Sequence, residues 1–93
     1  MSRARLTVVV ITHNEEDRLR RCLESVAWAD EIVVVDSGSD DKTLEIARGF
    51  TDHVTIRPWS GFAPQKNFGL ERASGDWILS LDADEEVSPE LRR

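Results

Sequence analysis

Short apolar runs and stretches with helical periodicity alternate along the chain. The first two runs are rich in β-branched residues and lack the apolar–polar alternation of a half-exposed strand, so they predict strands covered on both faces. Four strands are predicted, over residues 6–12, 31–36, 53–57 and 76–82. Three helices are predicted between them, over residues 15–27, 41–50 and 63–73.

The first predicted helix has a clear buried stripe. Leu19, Cys22, Leu23 and Val26 recur at i, i+3, i+4 and i+7, which places them on one helical face. We therefore expect the single cysteine to be a buried, unreactive thiol. Asn14 precedes the helix and has the residue type of an N-cap.

The third predicted helix breaks the pattern. Its expected inward stripe is Ala63, Asn67, Leu70 and Ala73, with Lys66 alongside. A polar residue in an apolar stripe often marks a functional position. The alternative is that Asn67 caps or bridges backbone groups.

The order strand, helix, strand, helix, strand, helix, strand predicts the α/β class, with a three-layer α/β/α arrangement around a Rossmann-like parallel sheet. Ninety-three residues suffice for one domain. Ligands of such sheets bind beyond the carboxyl ends of the strands. Polar clusters fall there, at residues 12–15, 36–41 and 82–86.

Composition narrows the class of ligand. The formal net charge is -6, with 18 acidic and 12 basic residues, which argues against a nucleic-acid-binding protein because such proteins present a basic surface. The apolar runs are too short to span a membrane, and the first residues do not resemble a secretory signal. The expected location is the cytoplasm.

Two carboxylates follow the last predicted strand. Alternate residues of a strand share a face, so Asp82 and Asp84 are expected to point the same way. Hard oxygen donors of this kind hold Mg²⁺ or Mn²⁺ together with water and the phosphates of a ligand. The alternative is an acidic loop that only solvates the end of the strand.

Two further carboxylates suit a nucleotide. Glu15 and Asp36 follow neighbouring strands and are placed to accept hydrogen bonds from a nucleobase or from ribose hydroxyls. The phosphates would then need the metal ion, with Lys66 as a second cation. The chain contains neither G-x-G-x-x-G nor the P-loop motif, and no hydrolase triad or zinc pattern is visible.

Residues 9–15, 32–43 and 75–84 resemble, in the correct order, three motifs of the N-terminal half of family 2 glycosyltransferases with the GT-A fold. The resemblance covers about residues 6–87. Residues 59–70 resemble the version found in bacterial lipopolysaccharide-core sugar transferases.

The resemblance implies roles in nucleotide binding. Thr12, Asn14 and Glu15 would lie by the base and ribose, and Asp36 would contact the base. His13 occupies a position at which the family varies, so it is expected to be structural.

The resemblance also implies how the phosphates are held. Lys66 and Asn67 would approach the nucleotide or its phosphates. Asp82 and Asp84 would carry Mg²⁺ or Mn²⁺, which bridges the diphosphate, so Asp82 also counts among the nucleotide-binding residues.

The implied activity is transfer from a nucleotide-diphosphate sugar, with uridine diphosphate (UDP) favoured, to a saccharide or lipid-linked saccharide such as lipopolysaccharide core. Family members continue into an acceptor-binding half that supplies the catalytic base, whereas this sequence ends at Arg93. We therefore expect residues 1–93 to be a donor-binding domain from a longer enzyme, with no assignable base and little or no transfer. The longer enzyme is expected to be cytoplasmic, or peripheral at the inner face of the membrane.

Self-association is a further expectation. A domain without its second half should expose apolar surface on its last strand, and exposed sheet edges invite pairing with another copy.

Two other functions remain open. The first is a nucleotide-binding module without chemistry of its own. The second is a Mg²⁺-dependent phosphotransfer domain in which an aspartate after a strand is the nucleophile. Against the second, Glu85 and Glu86 stand where such proteins usually place an apolar residue and a threonine.

Overall fold

The computed structural model describes residues 4–83, and all seven predicted elements lie within them. The strands are β1 (Leu6–Thr12), β2 (Glu31–Asp36), β3 (Val54–Ile56) and β4 (Trp77–Asp82). The helices are α1 (Leu19–Ser25), α2 (Thr43–Arg48) and α3 (Phe62–Arg72).

The four strands form one parallel sheet in the order β3-β2-β1-β4. The register pairs Thr12 with Asp36 and Ile11 with Asp82, so the carboxyl ends of the three longer strands lie side by side. The two central strands are buried along almost their whole length, as expected for strands covered on both faces. The predicted α/β class is confirmed.

Helices cover both faces of the sheet. On one face, Val8, Val10 and Val34 pack with buried residues of α1 and α2. On the other face, Val9, Val33 and Val35 pack against α3. The alternation of neighbouring valines between two layers follows from the two-residue period of a strand, and it confirms the three-layer arrangement.

The α1 face is as predicted, but the start of the helix is not. Leu19, Cys22, Leu23 and Val26 are completely buried. However, α1 begins at Leu19, and the prediction that Asn14 is its N-cap is wrong. Asn14 instead has a φ of 49°, and its side-chain oxygen accepts a hydrogen bond from the backbone N–H of Asp40 at 2.8 Å. The residue therefore ties the segment after β1 to the segment after β2.

The inward face of α3 was only partly predicted. Gln65 and Gly69 are its buried residues, whereas Ala63 and Asn67 are exposed. A Cβ at position 69 would overlap Val9, so the glycine allows α3 to lie close to the sheet. Leu70 and Ala73 are half-buried against the sheet, as predicted.

Within the part of the chain that the structure describes, β4 forms one edge of the sheet. Trp77 and Ile78 on this strand are 68% and 43% exposed, which agrees with the predicted apolar surface there. Self-association through this edge stays a prediction. In residues 4–83 no helix has both the length and the apolar character that crossing a membrane requires.

Candidate functional site

A cavity of about 560 Å³ opens at the carboxyl edge of the sheet. Its walls come from the ends of β1, β2 and β4 and from the connection between β3 and α3. Its polar side chains are those of Thr12, His13, Glu15, Ser37 and Asp82. The topology thus brings together residues that are up to 70 positions apart, from Thr12 to Asp82, at the edge where parallel sheets bind ligands.

The Asp36 carboxylate lies beneath this edge and is completely buried. Its Oδ1 accepts hydrogen bonds from the hydroxyls of Thr12 and Ser39, both at 2.6 Å. Its Oδ2 accepts hydrogen bonds from the backbone N–H groups of Gly38 at 2.8 Å and Ser39 at 2.7 Å. Asp36 therefore holds the turn after β2 in place against the end of β1.

These contacts keep Asp36 ionised. Burial by itself raises the pKa of the Asp36 carboxyl, but the hydrogen bonds from Ser39, Thr12 and Gly38 together outweigh it, and the net pKa lies below the usual value. A carboxylate with two hydrogen bonds on each oxygen has little capacity left for a ligand. The implied contact between Asp36 and a base stays a prediction.

Glu15 connects the first helical turn to α2. Its backbone N–H donates to the Thr43 hydroxyl at 2.7 Å, and its carbonyl accepts from the N–H groups of Arg18 and Leu19. Its side chain lines the cavity and lies 3.9 Å from the Arg18 guanidinium. Its backbone is thus held from two sides at the wall of the cavity.

Asp82 is exposed at the end of β4 and also lines the cavity. Asp84, the second predicted metal ligand, lies outside the described residues. Within residues 4–83 no three His, Cys, Asp or Glu side chains cluster as a metal site. One exposed carboxylate beside a cavity nevertheless fits a Mg²⁺ or Mn²⁺ ion, because such ions take most other ligands from water and phosphate.

The other predicted site residues lie in different environments. Thr12 lines the cavity, although its hydroxyl is donated to Asp36. Lys66 and Asn67 are exposed on α3 and are not among the residues that line the cavity. Their implied contact with the nucleotide or its phosphates stays a prediction.

Six of the residues that line the cavity were not predicted as site residues: Ile11, His13, Ser37, Trp59, Phe62 and Ala83. His13 was expected to be structural, but its side chain is exposed, with Nδ1 2.7 Å from the Ser37 hydroxyl. Trp59 lies in the connection between β3 and α3, which has no periodicity, and Phe62 is the first residue of α3. The signal available in the sequence was two large aromatic residues on either side of Gly61, immediately before a helix.

Comparison with known proteins assigns the chain to a family. The model of the family described as Glycosyl transferase family 2 matches residues 7–92. An uncharacterized glycosyltransferase of Rickettsia bellii is 45% identical over 89 residues, which cover 95% of this chain and 30% of the relative. The lipopolysaccharide core biosynthesis glycosyltransferase LpsC of Rhizobium meliloti is 40% identical over 92 residues, which cover 94% of this chain and 34% of LpsC.

A solved structure agrees with these relatives. Glucosyl-3-phosphoglycerate synthase from Mycobacterium tuberculosis, in complex with Mn²⁺, UDP-glucose and phosphoglyceric acid, superposes with a TM-score of 0.74 at 25% identity. The match covers 89% of this chain and 35% of the synthase, so the chain spans about a third of the length of the proteins it matches. Since the family model matches nearly the whole chain and the fold is that of GT-A glycosyltransferases, this chain belongs to glycosyltransferase family 2.

Proposed function

We propose that this chain is the donor-binding part of a glycosyltransferase that takes a UDP-sugar, holds its diphosphate through Mg²⁺ or Mn²⁺, and passes the sugar to a saccharide or lipid-linked saccharide acceptor such as lipopolysaccharide core. The observation that carries this proposal is the cavity at the carboxyl edge, which is lined by Asp82 together with Thr12, Glu15 and Ser37. The Mn²⁺ and UDP-glucose in the mycobacterial synthase support the donor and the metal. The relation to LpsC supports the acceptor.

Asp82 would hold the metal ion, with Asp84 as its partner from outside the described residues. A bound ion supplies positive charge to the diphosphate as it leaves the sugar, which lowers the barrier to transfer. Asp82 contributes by placing a hard oxygen donor at the rim of the cavity, where the phosphates can complete the coordination.

Glu15 would accept hydrogen bonds from the ribose hydroxyls. Its backbone is held by Thr43, so the residue lies at the cavity wall before a ligand arrives. Asn14 and Asp36 would act mainly by joining the two segments that form this wall, since their side chains bond to residues after β2. Lys66 and Asn67 would contact the phosphates only if their side chains moved from their present positions on α3, which are outside the cavity lining.

Transfer itself would need more than residues 4–83. We assign no general base among these residues, and the chain spans about a third of the length of its relatives. We therefore propose that the 93-residue chain binds the donor and by itself transfers little or no sugar. The cytoplasmic location, or one at the inner face of a membrane, stays a prediction.

Isothermal titration with UDP, with and without Mn²⁺, tests this function. We expect binding that depends on Mn²⁺ and that weakens by about 10-fold or more in Asp82→Asn, a loss of roughly 1.4 kcal/mol. Asp52→Asn is the matched control, because it removes an exposed carboxylate at the other edge of the sheet. The proposal is wrong if UDP at millimolar concentration does not bind, or if Mn²⁺ and Asp82→Asn have no effect on its affinity.

A further inference from the structure

Two large aromatic side chains line the cavity and remain open to solvent. Trp59 is 51% exposed and Phe62 is 65% exposed. Their ring centroids lie 5.0 Å apart with an interplanar angle of 85°, so the edge of one ring meets the face of the other. Exposed aromatic residues clustered at a cavity usually mark a binding surface, since exposure of such area to water is unfavourable. We call this pair the aromatic wall.

The segment that carries the aromatic wall is fixed by a buried amide. Gln65 is completely buried, although it is polar. Its Nε2 donates to the carbonyl of Arg57 at 3.1 Å, and its Oε1 accepts from Nη1 of Arg57 at 2.8 Å. The same Nη1 donates to the Ser60 hydroxyl at 3.0 Å. A buried side chain therefore holds the connection between β3 and α3, and the rings are positioned before a ligand binds.

The sheet order indicates which part of a ligand would meet the wall. The strands run β3-β2-β1-β4, so the segment that carries Trp59 leaves the sheet from β3, at the opposite edge of the sheet from Asp82 on β4. A nucleoside diphosphate with its phosphates at Asp82 would extend across the ends of β1 and β2. Its base would then lie farthest from Asp82.

The polar groups at that end also suit a base. His13 and Ser37 line the cavity and lie within hydrogen-bonding distance of each other, so an imidazole and a hydroxyl are available to the edge of a planar ring. The sugar of the donor is bonded to the terminal phosphate and would stay near Asp82. Aromatic rings stack well on nucleobases, because every base presents a flat face.

We propose that the aromatic wall of Trp59 and Phe62 stacks against the nucleobase of the donor. This inference rests on the proposed function, because it places the phosphates at Asp82. It adds a contact surface to the polar residues already assigned, and it makes the base, not the sugar, the part of the donor on which Trp59 and Phe62 act.

The test compares three ligands in the presence of Mn²⁺: UDP, UDP-glucose and pyrophosphate, which lacks the base. In Trp59→Ala and in Phe62→Ala we expect the affinity for UDP and for UDP-glucose to fall by about 10-fold, within the range of base stacking. The affinity for pyrophosphate should not change. Trp77→Ala is the matched control, because Trp77 is also exposed but lies on β4 outside the residues lining the cavity.

A second measurement reports on the same contact without removing it. The chain has three tryptophans, so Trp28→Phe with Trp77→Phe leaves Trp59 as the sole tryptophan. We expect UDP to change its fluorescence and pyrophosphate to leave it unaltered.

The other possible results of these measurements would overturn the stacking proposal or the proposed function. Unchanged UDP affinity in both alanine variants, equal weakening of UDP and pyrophosphate, or weakening of UDP-glucose alone would overturn the stacking proposal while leaving the donor site intact. If neither UDP nor pyrophosphate binds the unaltered chain, the proposed function fails, and the stacking proposal fails with it.

Discussion

Strand β2 has a carboxylate at each end, and the two ends make an instructive comparison. At the amino end, Glu31 Oε1 accepts hydrogen bonds from the hydroxyl of Thr7 at 2.8 Å and from the N–H of Ser74 at 2.9 Å. At the carboxyl end, Asp36 accepts four hydrogen bonds from its own turn and from Thr12. Both carboxylates therefore stabilise the fold by accepting hydrogen bonds from distant or neighbouring segments of the chain.

The difference lies in what surrounds them. At the amino edge other carboxylates also hold the chain together: Asp30 accepts from the N–H of Leu6 at 2.7 Å, and Asp76 accepts from the N–H of Arg5 at 2.9 Å. At the carboxyl edge, Asp82 and Glu15 line a cavity that also contains an aromatic pair. A carboxylate at the end of a strand is therefore weak evidence for a ligand until the partners of its oxygens are known.

The largest expected effect is that of Asp36→Ala on stability. The substitution removes the acceptor for the buried hydroxyl of Thr12 and for the N–H groups of Gly38 and Ser39. The buried Thr12 hydroxyl left without its acceptor costs about 1–3 kcal/mol, and the N–H groups of the partly exposed turn cost less, so we expect the free energy of unfolding to fall by roughly 2–4 kcal/mol. Urea denaturation at pH 7 measures this loss.

Glu31→Ala is the matched variant at the amino end. Its side chain is 12% exposed, and we expect a smaller loss of about 1–2 kcal/mol because water replaces part of the lost bonding. UDP affinity should stay unchanged in Glu31→Ala and fall in folded Asp36→Ala, since Thr12 and the turn after β2 that contains Ser37 lose the acceptor that holds them together. Equal effects of the two variants on UDP affinity would contradict the inference that the ligand binds at the carboxyl edge of the sheet and not at the amino edge.

Lowering the pH should reduce the stability that the carboxylates at both ends of β2 contribute. Burial raises the pKa of each carboxyl, but hydrogen bonds outweigh it, from Ser74 and Thr7 at Glu31 and from Ser39 and Thr12 at Asp36. Both folded pKa values therefore lie below their ordinary values of 4.5 and 3.8. The folded state binds these protons less readily than the unfolded chain, so the stability they contribute is full above those values and is lost as the pH falls through the folded pKa values.

Chemical denaturation between pH 7 and pH 2 measures this dependence. We expect little contribution from these two groups to any change between pH 7 and about pH 5, and a decline in the free energy of unfolding below that. The decline should be smaller than the effect of Asp36→Ala, because a protonated carboxyl still accepts some hydrogen bonds. Stability at pH 3 equal to that at pH 7 would show that these bonds do not favour the charged form.

The sequence predicted the features that depend on periodicity. The β-branched runs predicted the central strands, and the stripe from Leu19 to Val26 predicted the buried face of α1. The position of the cavity followed from topology, because parallel strands bring their carboxyl ends to one edge. Thr12, Glu15 and Asp82 line that cavity, and their roles in binding stay predictions.

The remaining errors come from contacts between distant residues. Asn14 was assigned as an N-cap because of its residue type, but its oxygen is bound to the N–H of Asp40, 26 positions away. The α3 face was misassigned because Gly69 has no side chain with which to signal burial and Gln65 is polar. The importance of Gln65 lies in its bonds to Arg57, which the sequence does not display.

The smallest expected effect concerns the rigidity of the aromatic wall. Gln65→Met keeps the length of the side chain but removes both of its hydrogen bonds to Arg57. The segment that carries the aromatic wall should therefore become more mobile. As Gln65 is a positioning residue, we expect UDP affinity to fall by about 3- to 10-fold, or roughly 0.7–1.4 kcal/mol, while Mn²⁺-dependent pyrophosphate binding is unchanged. Gln65→Glu retains an acceptor for the Arg57 guanidinium and should recover part of the UDP affinity. Equal weakening of UDP and pyrophosphate in Gln65→Met would assign Gln65 to general stability and not to the wall.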